Sequence, residues 1–211
     1  MELKLQLALD FLDFDSALSI AKKASPFVDI IEAGTPLIKY NGIGVVKKLK
    51  EEFPDKIINA DMKTADVGDL ETKIAADAGA NIVTILGAAP IETIRSAVLM
   101  AKNYNNLKIA VDTIGVNDVF AKAKEIENTE IDYFLIHCGI DEQKAGKDPL
   151  ENVRLSSEAT KMPLIACGGI KENTAAKFKE IETVEIVIVG GAITKADDPK
   201  EAARKIKMAI S

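Results

Sequence analysis

The sequence predicts a single (β/α)8 (TIM-type) barrel of the α/β class, and three observations lead to this prediction. Short apolar runs rich in β-branched residues alternate with stretches of helical period along the whole chain. Eight such pairs can be distinguished, which suits a closed parallel sheet covered by helices. The length of 211 residues is common for one α/β barrel and leaves little room for another domain, so we expect one barrel domain over residues 1–211.

Each strand is predicted at a short apolar run that could be buried on both faces of a parallel sheet. These runs are Leu5–Asp10, Val28–Gly34, Lys56–Lys63, Asn81–Leu86, Lys108–Ile114, Tyr133–Cys138, Leu164–Gly169 and Ile186–Gly191. Helices are predicted where apolar residues recur at helical spacing. These stretches are Ser16–Ala24, Ile43–Glu52, Asp69–Ala78, Ile91–Asn103, Asn117–Glu127, Leu150–Thr160, Asn173–Ile181 and Pro199–Ile210.

A doubly wound open sheet is the alternative fold. It usually has fewer strands and a glycine-rich turn after the first strand. Here the first strand runs into Leu9-Asp10-Phe11-Leu12, which contains no glycine, so the closed barrel is favoured.

Composition and charge narrow the class of protein. Lysine and arginine total 27 against 33 aspartates and glutamates, which argues against a nucleic-acid partner but leaves a small anionic substrate open. Cys138 and Cys167 lie far apart without metal-binding spacing, so we expect a reducing, cytoplasmic location. The N-terminal residues lack the features of a signal peptide and no apolar run approaches transmembrane length, so no membrane partner is expected.

Polar residues stand near the predicted carboxyl ends of most strands, where barrels of this kind carry their chemistry. Ionisable side chains in an apolar strand are costly unless they are paired or bind a metal. Because several strands carry such residues at the same end of the sheet, we expect a functional site there. The candidates are Asp10, Glu32, Asp61, Lys63, Asp112 and His137.

The third strand carries the strongest signal, the segment Asp61-Met62-Lys63-Thr64-Ala65-Asp66. Since side chains alternate along a strand, we expect Asp61 and Lys63 to share the face that points into the barrel, with Met62 towards the helices. Asp66 lies beyond the strand and could return towards the site or towards a partner subunit. A structural ion pair at the barrel rim is the alternative interpretation.

Two further candidates follow from side-chain chemistry. Glu32 on the adjacent strand forms a carboxylate pair with Asp61, and we predict a Mg²⁺ site there because Mg²⁺ prefers hard oxygen ligands. The alternative is one protonated or lysine-paired carboxylate. His137, the only histidine in the chain, is predicted to transfer protons near neutral pH, although a lone histidine is often a buried structural residue.

Two glycine pairs, Gly168-Gly169 and Gly190-Gly191, follow the seventh and eighth strands. Loops at these positions of a barrel frequently bind phosphate, and glycine lets backbone N–H groups approach an anion closely. We therefore predict a substrate phosphate there, with two tight turns as the alternative. We expect Cys138 and Cys167 to be packing residues. Three loop lysines are expected to be solvated, namely Lys39, Lys144 and Lys147.

Several motifs, taken in order, resemble a known family. Ala60-Asp61-Met62-Lys63-Thr64-Ala65-Asp66 resembles the Asp-x-Lys-x-x-Asp motif of the orotidine 5′-monophosphate decarboxylase suprafamily. Three more segments carry the likeness further: Val28-Asp29-Ile30-Ile31-Glu32-Ala33-Gly34-Thr35-Pro36-Leu37-Ile38, His137-Cys138-Gly139-Ile140-Asp141-Glu142-Gln143 and Val189-Gly190-Gly191-Ala192-Ile193. Together the motifs resemble the 3-hexulose-6-phosphate synthase family over nearly the whole chain.

This resemblance implies a specific activity. The expected reaction is an aldol-type carbon–carbon lyase or synthase reaction that joins formaldehyde and D-ribulose 5-phosphate. Its product would be D-arabino-hex-3-ulose 6-phosphate, formed through a Mg²⁺-stabilised enediolate. The resemblance also implies a homodimer in which Asp66 enters the partner's site.

Roles for the site residues follow as hypotheses. Glu32 and Asp61 would hold the metal, and Lys63 would stabilise the enediolate oxygen. His137 would shuttle the proton, with Asp112 as its helper or as a contact to a substrate hydroxyl. Which group removes the C1 proton is open at this stage. Asp10, which ends the first strand, completes the set of catalytic candidates.

Three other functions are weighed against this one. A 3-keto-L-gulonate-6-phosphate decarboxylase shares the strand-three motif but typically has Glu, Arg and Arg where this chain has Asp112, Ile140 and Ala192. A phosphosugar epimerase or isomerase usually needs several histidines or paired acid and base groups. A non-catalytic phosphosugar-binding barrel would not need the charged strand-three set. Small departures from the synthase pattern leave the charged positions intact, and they are Ala65, Cys138 and Cys167.

Overall fold

The protein is described here by a computed structural model, which covers residues 2–146 and 148–211, so Lys147 lies outside the described residues. Eight strands form the sheet: Lys4–Leu9 (β1), Ile30–Ala33 (β2), Ile57–Thr64 (β3), Ile82–Leu86 (β4), Lys108–Asp112 (β5), Tyr133–His137 (β6), Leu164–Cys167 (β7) and Val184–Val189 (β8). All neighbouring pairs are parallel, and β8 pairs with β1 to close the barrel. The predicted (β/α)8 barrel is confirmed, and the open-sheet alternative is wrong.

The helices surround this sheet. They are Phe14–Ala24 (α1), Thr35–Asn41 (α2), Gly44–Glu52 (α3), Gly68–Asp77 (α4), Ile91–Ala101 (α5), Val119–Ile126 (α6), Ile140–Lys144 (α7), Pro149–Ala159 (α8), Glu172–Ala175 (α9), Gly191–Thr194 (α10) and Pro199–Ile210 (α11). Two short 3₁₀ segments, Ser25–Phe27 and Ala176–Glu180, extend α1 and α9.

Three of these helices were not predicted, and all three stand in the loops that follow strands. They are the short helices α2, α7 and α10, after β2, β6 and β8. Each has seven residues or fewer, so none shows enough apolar positions to display a helical period. The helix predicted over Asn173–Ile181 is also shorter than expected, because its second half winds as a 3₁₀ helix.

Aspartate side chains begin several of the outer helices. The carboxylates of Asp13, Asp118, Asp148 and Asp198 accept hydrogen bonds from backbone N–H groups in the first turns of α1, α6, α8 and α11. Such caps satisfy N–H groups that have no partner within the helix. They explain why these helices begin where they do after polar loops.

Apolar side chains form two packed layers. The inner layer fills the barrel with residues of alternate strand positions, namely Ala8, Ile30, Ile82, Ala110, Tyr133, Leu135, Ile165, Ile186 and Ile188. The outer layer lies between the strands and the helices, and includes Phe134, Ile58 and Ala60. The barrel is therefore a filled core, and its upper rim is left for the polar residues.

Within the two described ranges, no helix has the length and apolar content needed to cross a membrane.

Phe134 tests the outer core layer, since its ring is fully buried. We expect Phe134→Ala to lower the free energy of unfolding by about 3–5 kcal/mol, because the surrounding strands and helices cannot fill the cavity. The matched control is Phe120→Ala on α6, where the ring is 50% exposed and a change within about 0.5 kcal/mol is expected. Urea unfolding followed by circular dichroism measures both, and equal losses would contradict the assignment.

Candidate active site

Parallel closure of the sheet brings the carboxyl ends of all eight strands to one rim. The charged residues expected at strand ends therefore meet there. Lys63 on β3 lies within ion-pair distance of Asp61 on its own strand and of Asp112 on β5. His137 on β6 contacts the same Asp112. These four side chains form one continuous network, which we call the rim network.

The Lys63 ammonium stands between two carboxylates. Its Nζ lies 3.0 Å from Asp61 Oδ1 and 2.7 Å from Asp112 Oδ2. Burial on its own would lower the pKa of Lys63, but the charges and hydrogen bonds of Asp61 and Asp112 outweigh it and raise the pKa above its usual value. Lys63 is therefore a fixed positive charge in a sheltered site.

Asp112 joins the lysine to the histidine. Its side chain is fully buried, and its Oδ2 lies 3.0 Å from His137 Nδ1. Burial acts to raise the pKa of Asp112, but the hydrogen bonds and charges of His137 and Lys63 prevail and lower it. An ionised Asp112 accepts a proton-bearing Nδ1, which assigns the lone pair of a neutral His137 to Nε2.

A β-bulge sets the position of Lys63. Ala60 pairs with Val83 and Thr64 with Ile85, so three residues of β3 stand opposite the single residue Thr84 of β4. Lys63 has a φ of 48°, in the left-handed region, where a non-glycine residue costs about 1–3 kcal/mol. The Asp61 and Lys63 side chains meet as expected, but the bulge rather than regular alternation turns Lys63 towards the mouth.

Two threonines that sequence reasoning missed hold Asp61. The Thr84 hydroxyl donates to Asp61 Oδ1 at 2.7 Å, and the Thr35 hydroxyl lies 2.6 Å from Asp61 Oδ2. A signal for Thr84 exists, because it is a polar residue inside the apolar run of β4, but it is overlooked when only ionisable residues are considered. Thr35 stands in a loop before α2, where the pattern of a strand gives no warning.

Glu32 lies one layer below Asp61. The register of β2 and β3 pairs Glu32 with Asn59, so Asp61 is two residues nearer the mouth. Burial, followed by the charges of Asp61 and Asp10, raises the pKa of Glu32 well above its usual range, against the opposing effects of Gln6 and Lys63. Gln6 on β1 donates its amide N–H to Glu32 Oε2.

The oxygen atoms around Glu32 suit a hard cation. Among the described residues, Gln6 Oε1 and Asn59 Oδ1 are buried without a hydrogen-bond partner on strands that adjoin Glu32. Oxygen ligands of this kind, with the acidic groups of Glu32 and Asp61, match the preference of Mg²⁺. No group of three or more His, Cys, Asp or Glu side chains in the described ranges could hold a metal on its own. Water and substrate oxygens would have to complete the coordination.

Asp10 stands at the rim just after β1. A Cβ atom at Gly34 would come within 2.3 Å of Asp10 Oδ1, so the glycine provides the space that this carboxylate occupies. Partial loss of hydration, together with the charge of Asp61, raises the pKa of Asp10, while Lys63 and His137 act in the opposite direction. Asp10 is therefore coupled to the rim network through the electrostatic field of its charges.

The predicted phosphate loops border one cavity of about 450 Å³ beside the rim network. Gly168 and Gly169 have φ of 115° and 59°, and a Cβ at Gly168 would come within 2.2 Å of the Cys138 carbonyl oxygen. These conformations require glycine. The cavity is also lined by residues from α7, α10 and the neighbouring loops, including Ile140, Ala192, Lys171 and Lys195.

The two lysines at this cavity were not predicted, because Lys171 and Lys195 stand in loops that a sequence pattern does not bring together. Ile140 and Ala192, the positions expected to distinguish the synthase from the decarboxylase, do face the same cavity. Cys167 also lines it, and burial, followed by the charge of Glu32, raises the pKa of its thiol well above the usual value. A thiol that stays protonated supports the expected packing role.

Asp66 stands apart from the rim network. Its side chain is exposed, and its carboxylate accepts a hydrogen bond from the backbone N–H of Val67. Among the residues that the structure describes, no hydrogen bond or ion pair links it to Lys63 or His137. The single chain therefore does not bring Asp66 to its own site.

Asp112 gives a prediction about stability and pH. Because its pKa in the folded state is below the ordinary value of 3.8, its contribution to stability is present above that pH and is lost as the pH falls through the lowered pKa. We expect Asp112→Asn to lower the free energy of unfolding at pH 7 by about 1–3 kcal/mol and to flatten the loss on acidification. Asp141→Asn, whose side chain is 96% exposed, should change neither. Denaturant unfolding from neutral pH down to strongly acidic pH measures this, and a parallel pH profile for Asp112→Asn and the unsubstituted chain would contradict it.

Known proteins resemble this chain over its full length. The profile of the orotidine 5′-phosphate decarboxylase / HUMPS family matches residues 3–206. The 3-hexulose-6-phosphate synthase of Mycobacterium gastri is 40% identical over 209 residues, which cover 99% of this chain and 100% of that protein. A crystal structure of 3-hexulose-6-phosphate synthase superimposes with a TM-score of 0.94 at 41% identity, covering 99% of this chain and 100% of the other.

A decarboxylase structure is also similar. KGPDC from Streptococcus mutans, in complex with a D-pentose 5-phosphate, has a TM-score of 0.91 at 31% identity, covering 99% of this chain and 97% of that one. The fold, the family profile and the full-length identities agree with the motifs of the sequence. The chain belongs to the orotidine 5′-phosphate decarboxylase / HUMPS family, in which its relatives at about 40% identity are 3-hexulose-6-phosphate synthases.

Proposed function

We propose that the chain, as one catalytic barrel domain over residues 1–211, joins formaldehyde and D-ribulose 5-phosphate to give D-arabino-hex-3-ulose 6-phosphate. The observation that carries this proposal is the rim network beside the glycine-bordered cavity. It combines a fixed ammonium with a carboxylate-bound imidazole, the two groups needed to form and hold an enediolate. The synthase names of relatives at 40% identity support the choice of substrates.

The phosphate of the sugar would bind in the glycine-bordered cavity. Backbone N–H groups of Gly168, Gly169, Gly190 and Gly191 can be approached closely, since glycine has no side chain to shield them. Binding energy at this remote group would orient the reacting end of the sugar towards Lys63 and His137. The pentose 5-phosphate complex of the similar Streptococcus mutans decarboxylase supports a phosphorylated pentose as the ligand.

The first step removes a proton from C1 of ribulose 5-phosphate. His137 Nε2 is the proposed base, because Asp112 holds Nδ1–H and stabilises the imidazolium that forms. The electron pair of the C–H bond moves into the C1–C2 bond, and the ketone oxygen becomes the enediolate oxygen. The Lys63 ammonium, fixed between two carboxylates, stabilises that negative charge in a sheltered site.

The second step forms the carbon–carbon bond. The C1 carbon of the enediolate attacks the carbonyl carbon of formaldehyde, while the C2 ketone is restored. The formaldehyde oxygen takes up the proton that His137 carries and becomes the new hydroxyl group. No proton is gained or lost over the whole reaction, so one shuttling group is sufficient. Asp10, at the rim, is available to hydrogen-bond a substrate hydroxyl.

We propose Mg²⁺ as the cofactor, held by Glu32 and Asp61. When bound, it would act as a Lewis acid on the oxygens of the substrate. The high pKa of Glu32 next to Asp61 and Asp10 supports this assignment, because a bound cation would relieve the repulsion between these carboxylates.

We further propose a homodimer in which Asp66 reaches the site of the partner. Its exposed position, outside the rim network of its own chain, supports this arrangement. The cytoplasm is the proposed location, in keeping with two cysteines and a metabolite substrate.

The decarboxylase activity is the closest alternative. Ile140 and Ala192 leave the cavity wall without the two arginines that the resemblance assigns to decarboxylases, so there is less to hold a substrate carboxylate. A non-catalytic barrel is disfavoured because Lys63 and Asp112 remain buried as charges, which a binding module would not require.

The direct test is formaldehyde consumption with ribulose 5-phosphate, measured with and without a chelator. We expect consumption that stops with EDTA and returns with added Mg²⁺. Faster release of CO₂ from keto-gulonate phosphate than consumption of formaldehyde would favour the decarboxylase. Activity unaffected by EDTA would exclude the metal assignment.

Mixed dimers test the shared site. Lys63→Ala and Asp66→Ala should each lose nearly all activity, because every site of either homodimer lacks one essential group. After the two variants are unfolded together and refolded, about a quarter of wild-type activity should return, since half of the dimers are hybrids and each hybrid has one intact site. Activity that stays at the level of the separate variants would exclude a shared site, and near-full activity of Lys63→Ala alone would exclude the role of that lysine.

A further inference from the structure

Thr84 of β4 stands opposite the bulge of β3. It lies between Val83 and Ile85, whose partners on β3 are Ala60 and Thr64. Its side chain points into the barrel and is 1% exposed. A buried polar side chain needs a hydrogen-bond partner, and Thr84 finds two partners within the bulge.

The Thr84 hydroxyl uses its capacity both to donate and to accept on the strand-three motif. It donates to Asp61 Oδ1 at 2.7 Å. It also accepts a hydrogen bond from the backbone N–H of Lys63 at 3.2 Å. One hydroxyl can donate once and accept at the same time, so the two contacts are compatible.

These two contacts fix two different properties of the motif. The contact to Asp61 orients the carboxylate whose Oδ1 also receives the Lys63 ammonium at 3.0 Å. The contact to the Lys63 N–H satisfies a donor that the bulge removes from regular strand pairing. It also holds Lys63 at its φ of 48°, a conformation that persists in a non-glycine residue only where the surroundings enforce it.

We propose that Thr84 is a positioning residue for the reaction: its hydroxyl locks the β3 bulge and thereby holds the Lys63 ammonium where the enediolate forms. This inference rests on the proposed function, because it assigns Thr84 an effect on that chemistry through Lys63 and Asp61. Thr84 itself need not touch the substrate. A displacement of a catalytic group by about 1 Å can reduce turnover about 100-fold, so loss of the lock has a measurable effect.

The first experiment compares Thr84→Val with Thr84→Ser in the intact chain. Valine keeps the branched shape and removes the hydroxyl, whereas serine keeps the hydroxyl. We expect Thr84→Val to lower kcat for formaldehyde consumption by about 10- to 100-fold with KM for ribulose 5-phosphate within about threefold of wild type. Thr84→Ser should restore kcat to within about threefold of wild type.

Two further variants separate positioning from general destabilisation. Thr129→Val removes another buried threonine hydroxyl, which donates to the Ile126 carbonyl before the start of β6, away from the rim, and it should leave kcat unchanged. Thr84→Ala removes the hydroxyl without placing a methyl group against the Asp61 carboxylate, and it serves if Thr84→Val fails to fold. Unchanged kcat in the folded hydroxyl-free variant would overturn the proposal. So would a defect in Thr84→Ser or Thr129→Val as large as that in Thr84→Val.

The second readout does not depend on activity. Because Thr84 accepts the Lys63 N–H, hydrogen exchange of the Lys63 amide should be at least about tenfold faster in Thr84→Val than in wild type and slow again in Thr84→Ser. Equal exchange in all three proteins would overturn the proposal. If wild type shows slow exchange that Thr84→Val loses, but no turnover of ribulose 5-phosphate and formaldehyde, then the proposed function fails while the lock on the bulge stands.

Discussion

The ammonium of Lys63, fixed between the carboxylates of Asp61 and Asp112, is the interaction on which the candidate site depends. Four carboxylates meet at this rim if Asp10 and Glu32 are included, and without a positive charge among them their mutual repulsion would be severe. One lysine neutralises part of that charge. The remaining excess of negative charge explains why a divalent cation and a sugar bearing several hydroxyl groups suit the rim better than a second anion would.

The same contact links the two halves of the proposed chemistry. Asp112 receives both Lys63 Nζ and His137 Nδ1, so the group that would stabilise charge and the group that would move the proton share one buried anchor. Both side chains are attached to strands of a closed barrel, whose backbone is held by neighbours on both sides. The phosphate cavity, in contrast, is bordered by loops and short helices that can vary without disturbing the strands.

Local strain is concentrated at the same point. The left-handed conformation of Lys63 and the interrupted pairing of β3 with β4 would be unfavourable alone. They are offset by the hydrogen bonds of Thr84 and by the ion pairs of the ammonium, so the bulge and the charge network stabilise each other. A fold that needed only stability would not require either feature, which is why their coincidence at the rim favours a catalytic use.

The sequence by itself determined the architecture and most of the candidate site. Apolar runs alternating with helical stretches specify eight βα units, because a buried parallel strand and an amphipathic helix differ in length and period. Since parallel strands end at one rim, the positions of Asp61, Lys63, Asp112 and His137 along the chain already implied that they would meet. The short helices α2, α7 and α10 were missed, because their few residues carry no period.

Only the tertiary structure decided how these residues meet. Simple alternation explains the direction of Asp61 but not that of Lys63, which depends on a bulge formed between two strands. Thr84 and Thr35 became part of the site because pairing of β3 with β4 and folding of the loop after β2 bring their hydroxyl groups to one carboxylate. Register, bulges and loop contacts arise between segments distant in sequence, so a pattern within one segment specifies which residues are available and the packed barrel specifies their partners.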